Sequence, residues 1–523
     1  MNYIKYFLIV LGIILWSSCR EDFETEIVSA GGIEFSKDTV FLDTLFTKIQ
    51  SSTQSFKVYN RSDKDITIPV VALERGTSSK YTLSVDGLPL AGSPNTPESG
   101  KIFKDVEILA QDSIFVFVEA TIDATADGLD NEMMYNDKVT FSNQGDKDVD
   151  LVTLVKDANF IFKAETDIEK EFETRQRDEK GEFIVVKGFD LSDDELTMTN
   201  EKAYVIYGNA VVPNGKILTV NAGARLHFHE DSGLIVEEGA SIQINGSASP
   251  EDKDNPNQNE VIIEGDRIAE DFDNLPGQWG QIWIRKGSVN NSMTNVTFKN
   301  ATTGILVDGN GNETTPSLTL KNIQIYNSQA AGIQANATNI TGENVVINQS
   351  GKASLNIEQG GTYNFTHSTL VNYFKFGIRS FAAVNISNRP IEESPVTDSN
   401  LEAANFTNCI ITGSTRNEIN LTNDDEADFN FKFENCLIDY MTSFDDAEEF
   451  DIENTSLYEN CIFNEEPEFK NTSLNQLQIS EESVANGKAT IIPGEDIIGT
   501  VRSATVPDIG AYESIEFMED DED

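Results

Sequence analysis

Apolar and polar residues alternate in short blocks along most of the chain. Between Ile33 and Ala164 the segments "DTVFLDTLF", "QSFKVYN", "DITIPVVAL", "YTLSVDG", "DSIFVFVEATID", "DKVTFSN" and "VDLVTLV" are separated by polar turns. Period-two alternation marks a half-buried strand. About seven such strands predict an antiparallel sandwich over residues 33–164. Residues 165–200, including "ETDIEKEFETRQRDEKGEF", are dominated by charge and read as a solvated connector with one short helix or strand. From Ala203 the texture changes to short Val/Ile/Leu strands punctuated by Gly215, Gly223, Gly233, Gly239 and Gly246. No stripe of helical period appears there.

A repeat decides the fold of this second half. The segments "TNVTFKN", "KNIQIYN", "ENVVINQ", "THSTLVN", "TNCIITG", "ENCLIDY" and "ENCIFNE" align on Asn295, Asn322, Asn344, His367, Asn408, Asn435 and Asn460. The intervals are 27, 22, 23, 41, 27 and 25 residues, the long one containing the insertion "NRPIEESPVTDSN". A second apolar site follows 10 or 11 residues later, at Ile305, Ile333, Leu355, Ile378 and Ile419. One such repeat is too small to bury its own apolar side chains, so repeats must stack into a shared core. Stacking places the repeated Asn above one another, where each amide can bond to the next. Asn295, Asn322, Asn344, Asn408, Asn435 and Asn460 are therefore expected to form a structural ladder. Cys409, Cys436 and Cys461 each follow a ladder Asn and are expected as stacked core thiols.

These repeats resemble those of right-handed parallel β-helix proteins, the architecture of pectate lyases, over residues 201–513. The 33–164 segment resembles the Ig-like domains that precede repeat domains in surface lipoproteins. The fold class expected is all-β: an Ig-like sandwich, a charged connector over 165–200, a right-handed parallel β-helix and an acidic tail over 514–523. Arg502 and "PDIGAYE" resemble the closing segment of bacterial β-helix lipoproteins, which implies a terminal strand covering the last open coil.

The first residues give an address. Tyr6 to Trp16 is an unbroken apolar run of 11 residues. About 20 are needed to span a membrane, whereas 11 suits the apolar core of a secretory signal. Ser17-Ser18-Cys19 then resembles a bacterial lipobox, although Trp16 stands where Leu is usual. Residues 1–18 read as a lipoprotein signal peptide and 19–32 as a linker. Arg20, Glu21 and Asp22 resemble the surface-export signal of Bacteroidetes lipoproteins. The resemblance implies outer-membrane lipid as a partner through lipidated Cys19, and a cell-surface location.

Composition narrows the function without naming it. The 523 residues carry a formal net charge of −50, which excludes a nucleic-acid backbone and a polybasic lipid attachment. His227 and His229 share a strand face, but Leu226 and Phe228 would point inward, so the pair reads as solvent-facing. Asp308, Asn310 and Asn312 alternate in "DGNGN" and leave calcium as the one metal reading, without the Glu an EF-hand requires. No other cofactor or metal is implied. Trp279 and Trp283 in "PGQWGQIWI" are candidate glycan-stacking residues, or else core. Acids are too many for a carboxylate pair to be diagnostic of a glycosidase. No nucleophile elbow or phosphate loop is present, so no catalytic residue is named. The expectation is a non-catalytic binding or structural protein, toward polysaccharide or glycan. The alternative is a carbohydrate-active enzyme, a polysaccharide lyase or glycoside hydrolase. The insertion over residues 388–400 is the expected partner-contacting loop.

Overall fold

The computed structural model describes residues 32–88, 99–123, 132–143, 147–177, 181–249, 257–268, 272–311, 313–390, 399–440 and 451–517. The leader, Cys19, Arg20, Glu21, Asp22, Asn312, most of the 388–400 insertion and the acidic tail from Glu519 lie outside these residues. The chain divides into two units between Asp157 and Ala158. Among the described residues no helix is long and apolar enough to cross a membrane.

In the first unit, alternation builds two sheets on one core. Ile33–Phe35, Gln54–Asn60, Ser113–Ala120 and Tyr81–Val85 pair antiparallel. Thr39–Phe46, Asp148–Lys156, Glu132–Phe141, Ile66–Leu73 and Ile102–Ile108 form the second sheet, whose first two strands pair parallel. Ser113–Ala120 shows the principle: Ile114, Val116 and Val118 are buried, Phe115 and Phe117 exposed. The inward set meets Leu42, Ile68, Val106 and Leu151 of the other sheet in a common core.

Among the described residues of the second unit, 26 strands join in one mostly parallel sheet. The chain makes three strands and then returns to lie beside the first of them. Ala203–Tyr207 pairs with Arg225–Phe228, and that strand with Val261–Gly265. Asn209–Val212 pairs with Gly233–Val236, and that strand with Ile282–Ile284. Ile217–Asn221 pairs with Ser241–Asn245, and that strand with Asn291–Lys299. Each return is one rung, and three faces result. Inward Leu, Ile, Val and Phe from all three faces make a single core. Within it Phe365, Phe406, Phe433 and Tyr458 stack rung over rung, at 5.7, 5.0 and 5.6 Å between ring centroids.

The Asn repeat sits at the bends. Asn295, Asn322, Asn344, His367, Asn408, Asn435 and Asn460 all have φ between 47° and 56°. This left-handed region costs most L-residues about 1–2 kcal/mol, and Asn visits it more readily than others. Asn322 Nδ2 donates to Asn295 Oδ1 at 3.1 Å and Asn344 Nδ2 to Asn322 Oδ1 at 2.9 Å. Asn408 Nδ2 donates to His367 Nε2 at 3.0 Å, whereas Asn435 Nδ2 donates to the Lys488 carbonyl. A second amide row runs five residues later, where Asn327 Nδ2 donates to Asn300 Oδ1 at 3.2 Å. Cys409, Cys436 and Cys461 are free. Burial pushes the Cys436 thiol well up; its hydrogen bond to Cys436, then burial, does the same for Cys461. Such thiols are poor nucleophiles and poor metal ligands.

Several expectations are corrected. Ala158–Phe162, placed in the first module, pairs parallel with Ala203–Tyr207 and belongs to the second unit. The charged segment is no connector: Lys170–Arg177 and Phe183–Asp190 form an antiparallel hairpin. Its Phe172 is buried on Val211, Ile235 and Trp283, which point out of the winding. The C-terminal segment is not confined to the last rung, whose Ile462 it packs against. It lies along the outer side of the ladder face, where Ile479, Ile497, Ile509 and Tyr512 bury Tyr326, Val346, Val371, Ile410 and Leu437. Gly510 N donates to the Asn408 carbonyl and Arg502 Nη2 to Asn344 Oδ1, both at 2.9 Å. Ile378 is not in the core column. The register runs Ile333, Leu355, Val384, Ile419, and Ile378 stands in a loop at 101% exposure.

Candidate functional site

The face made by Ile305–Asp308, Ile333–Ser350, Leu355–Thr366, Val384–Ser387 and Ile419–Thr422 positions the polar groups that matter. On each rung the first residue points inward: Ile305, Ile333, Leu355, Val384 and Ile419 are buried. The next residue therefore points out. From Ile333 onward that residue is an amide: Gln334, Asn356, Asn385 and Asn420, in register across neighbouring strands. Asn356 Nδ2 donates to Gln334 Oε1 at 2.7 Å and Asn385 Nδ2 to Asn356 Oδ1 at 2.6 Å; Asn420 Nδ2 donates to Asn385 Oδ1.

Two residues further along each strand a second outward column runs Asp308, Asn336, Glu358, Ser387 and Thr422. Glu358, Asn385, Ser387, Arg389, Pro390 and Thr422 line a groove of about 230 Å³ on this face. Enclosed small-molecule sites run to ~300–1,000 Å³. The groove is below that range and suits a ligand that lies along the face.

The hairpin covers the other end of the same face. Lys170 pairs with Asp190 at 2.6 Å and with Glu237 at 2.9 Å. Arg175 Nε meets Asp308 Oδ1 at 2.7 Å, and Arg175 also bonds Gln359. Asp308 accepts further from Trp283 Nε1 at 2.7 Å and Asn336 Nδ2 at 2.8 Å. With three donors on its two oxygens, Asp308 is a structural anchor and is poorly placed to hold calcium or shuttle a proton. Asn310 donates its backbone N–H to Glu313, and Asn312 lies outside the described residues.

The two tryptophans offer no stacking face. Trp279 is 1% exposed, parallel to Phe228 at 4.7 Å, with its Nε1 on the Lys299 carbonyl. Trp283 is 3% exposed beneath Phe172. Two large rings in an apolar repeat satisfy the core before they satisfy a ligand. His227, expected in solvent, is buried beside Gly265 and Glu264. His229 bonds Asp266 at 2.7 Å and stacks on Tyr207. Among the described residues no group of three His, Cys, Asp or Glu is placed to hold a metal ion.

The amide face escaped the sequence reading, although its signal was present. Each amide follows a site of the second apolar series: Ile333-Gln334, Leu355-Asn356, Ile419-Asn420. The fourth pair, Val384-Asn385, was hidden because Ile378 imitated the expected spacing.

No family model matches the chain, and no curated protein matches it. Solved structures align with parts of it. One is a family 123 glycoside hydrolase from Clostridium perfringens, studied for glycolipid glycan hydrolysis. It shows 11% identity over 25% of this chain and 30% of that one, with a TM-score of 0.17. The chain thus spans about 30% of the hydrolase's length. Another is the ASH/PapD-like domain 7 of human CEP192. It shows 10% identity over 28% of this chain and 98% of that one, with a TM-score of 0.13. At these TM-scores neither likeness carries an argument about fold or function.

Proposed function

We propose that this is a lipid-anchored cell-surface protein in which an Ig-like module precedes a right-handed parallel β-helix, and that the β-helix binds a glycan without cleaving it. The anchor rests on the apolar leader ending in Ser17-Ser18-Cys19, with Arg20, Glu21 and Asp22 behind it. The β-helix reading rests on strands that return parallel after every third element.

The amide column carries the binding reading. Asn385 gives one N–H to Asn356 and accepts one from Asn420. One N–H and one oxygen lone pair remain for a ligand. Asn356 and Asn420 give their second N–H to Glu358 and Thr422, at 3.0 and 3.2 Å. The spare donors are therefore those of Gln334 and Asn385, and with the column's fixed amide oxygens they match the hydroxyl edge of a sugar chain. Catalysis would need an acid and a base converging on one bond. Of the two acids in the neighbouring column, Glu358 lines the groove and accepts from Asn356 Nδ2 at 3.0 Å. Asp308, two rungs away, is committed to Arg175, Trp283 and Asn336, so the pair does not converge on one bond.

A glycan array probed with the purified chain, followed by incubation of each hit and product analysis, tests this reading. Binding that leaves the sugar intact and is weakened by Asn385→Ala is the expected result. A shortened or unsaturated product would favour the alternative of a polysaccharide lyase or glycoside hydrolase.

A further inference from the structure

The 41-residue interval in the repeat contains a loop besides the 388–400 insertion. The chain leaves the winding after Thr369–Leu370 and rejoins it at Val384–Ser387. Between them stand Phe374, Phe376, Ile378 and Phe381. Phe376 is 38% exposed, Phe381 51% and Ile378 fully exposed. Leaving such side chains in water forgoes the stabilisation that burial gives. Three exposed apolar side chains within six residues of one loop make it a candidate contact site.

The base of this loop is fixed. Arg379 and Glu418, with side chains 1% and 0% exposed, form a two-pronged ion pair. Glu418 also accepts from the backbone N–H groups of Ala383 and Thr415, each at 2.8 Å. Arg379 Nη1 donates to the Phe381 carbonyl at 2.6 Å. Lys375 N donates to Gln349 Oε1 at 3.0 Å, and its Nζ to the Ser473 carbonyl at 2.8 Å. The Phe374 ring lies against Gly351, where an added Cβ would stand 3.4 Å from it. A buried ion pair is a poor way to gain stability, since apolar replacements commonly do as well. Here it holds an exposed apolar tip in one conformation, which lowers the ordering cost of binding.

The position of the loop says what it contacts. Phe381 stands four residues before Asn385 on the same run of chain, and Arg389 and Pro390 stand at the far end of that strand beside the groove. The amide column thus has apolar rings at one end of its strands and the groove at the other. A ligand that meets both needs hydroxyl edges and apolar C–H faces, the two surfaces of a pyranose chain. Its charge is constrained too: Glu358 and Arg389 offset each other in the groove lining, and the chain as a whole carries a net −50, so a polyanion is repelled.

We infer that residues 374–381 form a preset apolar platform beside the amide column, and that the site takes a neutral hexose polymer. This deepens the glycan-binding reading and rests on it. The test is calorimetric titration of the full chain with cellohexaose, laminarihexaose, mannohexaose and hexagalacturonate. The proteins compared are the wild type, Phe376→Ser, Phe381→Ser and Asn385→Ala. At least one neutral hexaose should bind, with hexagalacturonate weaker by about tenfold or more. Each Phe variant should weaken binding by about tenfold with the chain still folded and its melting transition cooperative, because both rings are partly in solvent and outside the stacked core. If Asn385→Ala weakens a neutral sugar and neither Phe variant does, the platform is overturned and the amide-face reading stands. If hexagalacturonate binds as well or better, the neutral class is wrong. If none of the four sugars binds, both readings fall.

Discussion

His367 Nε2 accepts a hydrogen bond from the Asn408 side-chain amide at 3.0 Å, so an imidazole occupies a rung of an amide ladder. The arrangement needs a neutral ring. Burial, and then the Arg502 charge, push the His367 pKa down to about 3. An unfolded His titrates near 6.5, so the unfolded chain takes up the proton first. Stability from this group is complete above about pH 6.5 and is lost as pH falls toward 3. His367→Asn keeps the ladder and removes the titration. Its melting temperature should gain on the wild type progressively between about pH 7 and pH 4. A difference that does not change with pH would contradict this.

Asp439 should behave in the opposite sense. Burial first, and then Glu418 and Glu466, raise its pKa to about 6, while the Gly413 N–H opposes them. The folded state therefore prefers the protonated acid. Stability from this group is present at low pH and falls as pH rises from about 4 through 6. Asp439→Asn can still accept from Gly413. It should melt higher than the wild type at about pH 7 and lose that advantage near pH 4. An equal advantage at both values would exclude this origin.

Asn344 joins the ladder to the C-terminal segment. It donates to Asn322 and to the Glu495 carbonyl and accepts from Arg502, which also pairs with Glu513 at 3.1 Å. Asn344→Ala should cost about 1–3 kcal/mol, the usual loss when buried polar partners are left unsatisfied. Asn344→Gly loses the same amide but suits φ of 54°. Denaturant unfolding should find Gly more stable than Ala by about 1–2 kcal/mol. Equal stabilities would mean the bend conformation contributes nothing.

Among the described residues Phe172 is the hairpin's fully buried side chain on Val211, Ile235 and Trp283, with Val186 packed half-buried beside it. Phe172→Ala should cost about 3–5 kcal/mol if the hairpin stays docked, and less if it lifts. In either case Trp283 becomes wetter, so the tryptophan emission should move to the red. An unshifted spectrum would mean Trp283 is covered by something else.

The strands and the ladder were legible because both are local patterns: period-two alternation, and one Asn per rung. What covers the rungs was not. Val345-Val346-Ile347, Cys409-Ile410-Ile411 and Cys436-Leu437-Ile438 are uninterrupted apolar runs, which signals burial on both faces. The covering residues, Ile479 to Tyr512, come from far along the chain, and periodicity carries no information about them. Phe172 sits among Lys170, Glu171, Glu173 and Arg175, and one ring among charges reads as solvent. The amide column was missed for a simpler reason. Ile378 matches the spacing of the second apolar series but stands in water, while Val384 holds the core position, and this masks the outward amide beside it.

The central claim is that the amide face binds a sugar chain and leaves it whole. Its most direct test is a titration with a neutral oligosaccharide series of increasing length, each mixture then analysed for products. The column Gln334, Asn356, Asn385, Asn420 covers three rung steps of about 4.8 Å. Affinity should therefore rise with length until the chain spans that distance, then level off, with the sugar recovered intact. Affinity independent of length, or recovery of shortened sugar, would contradict the account.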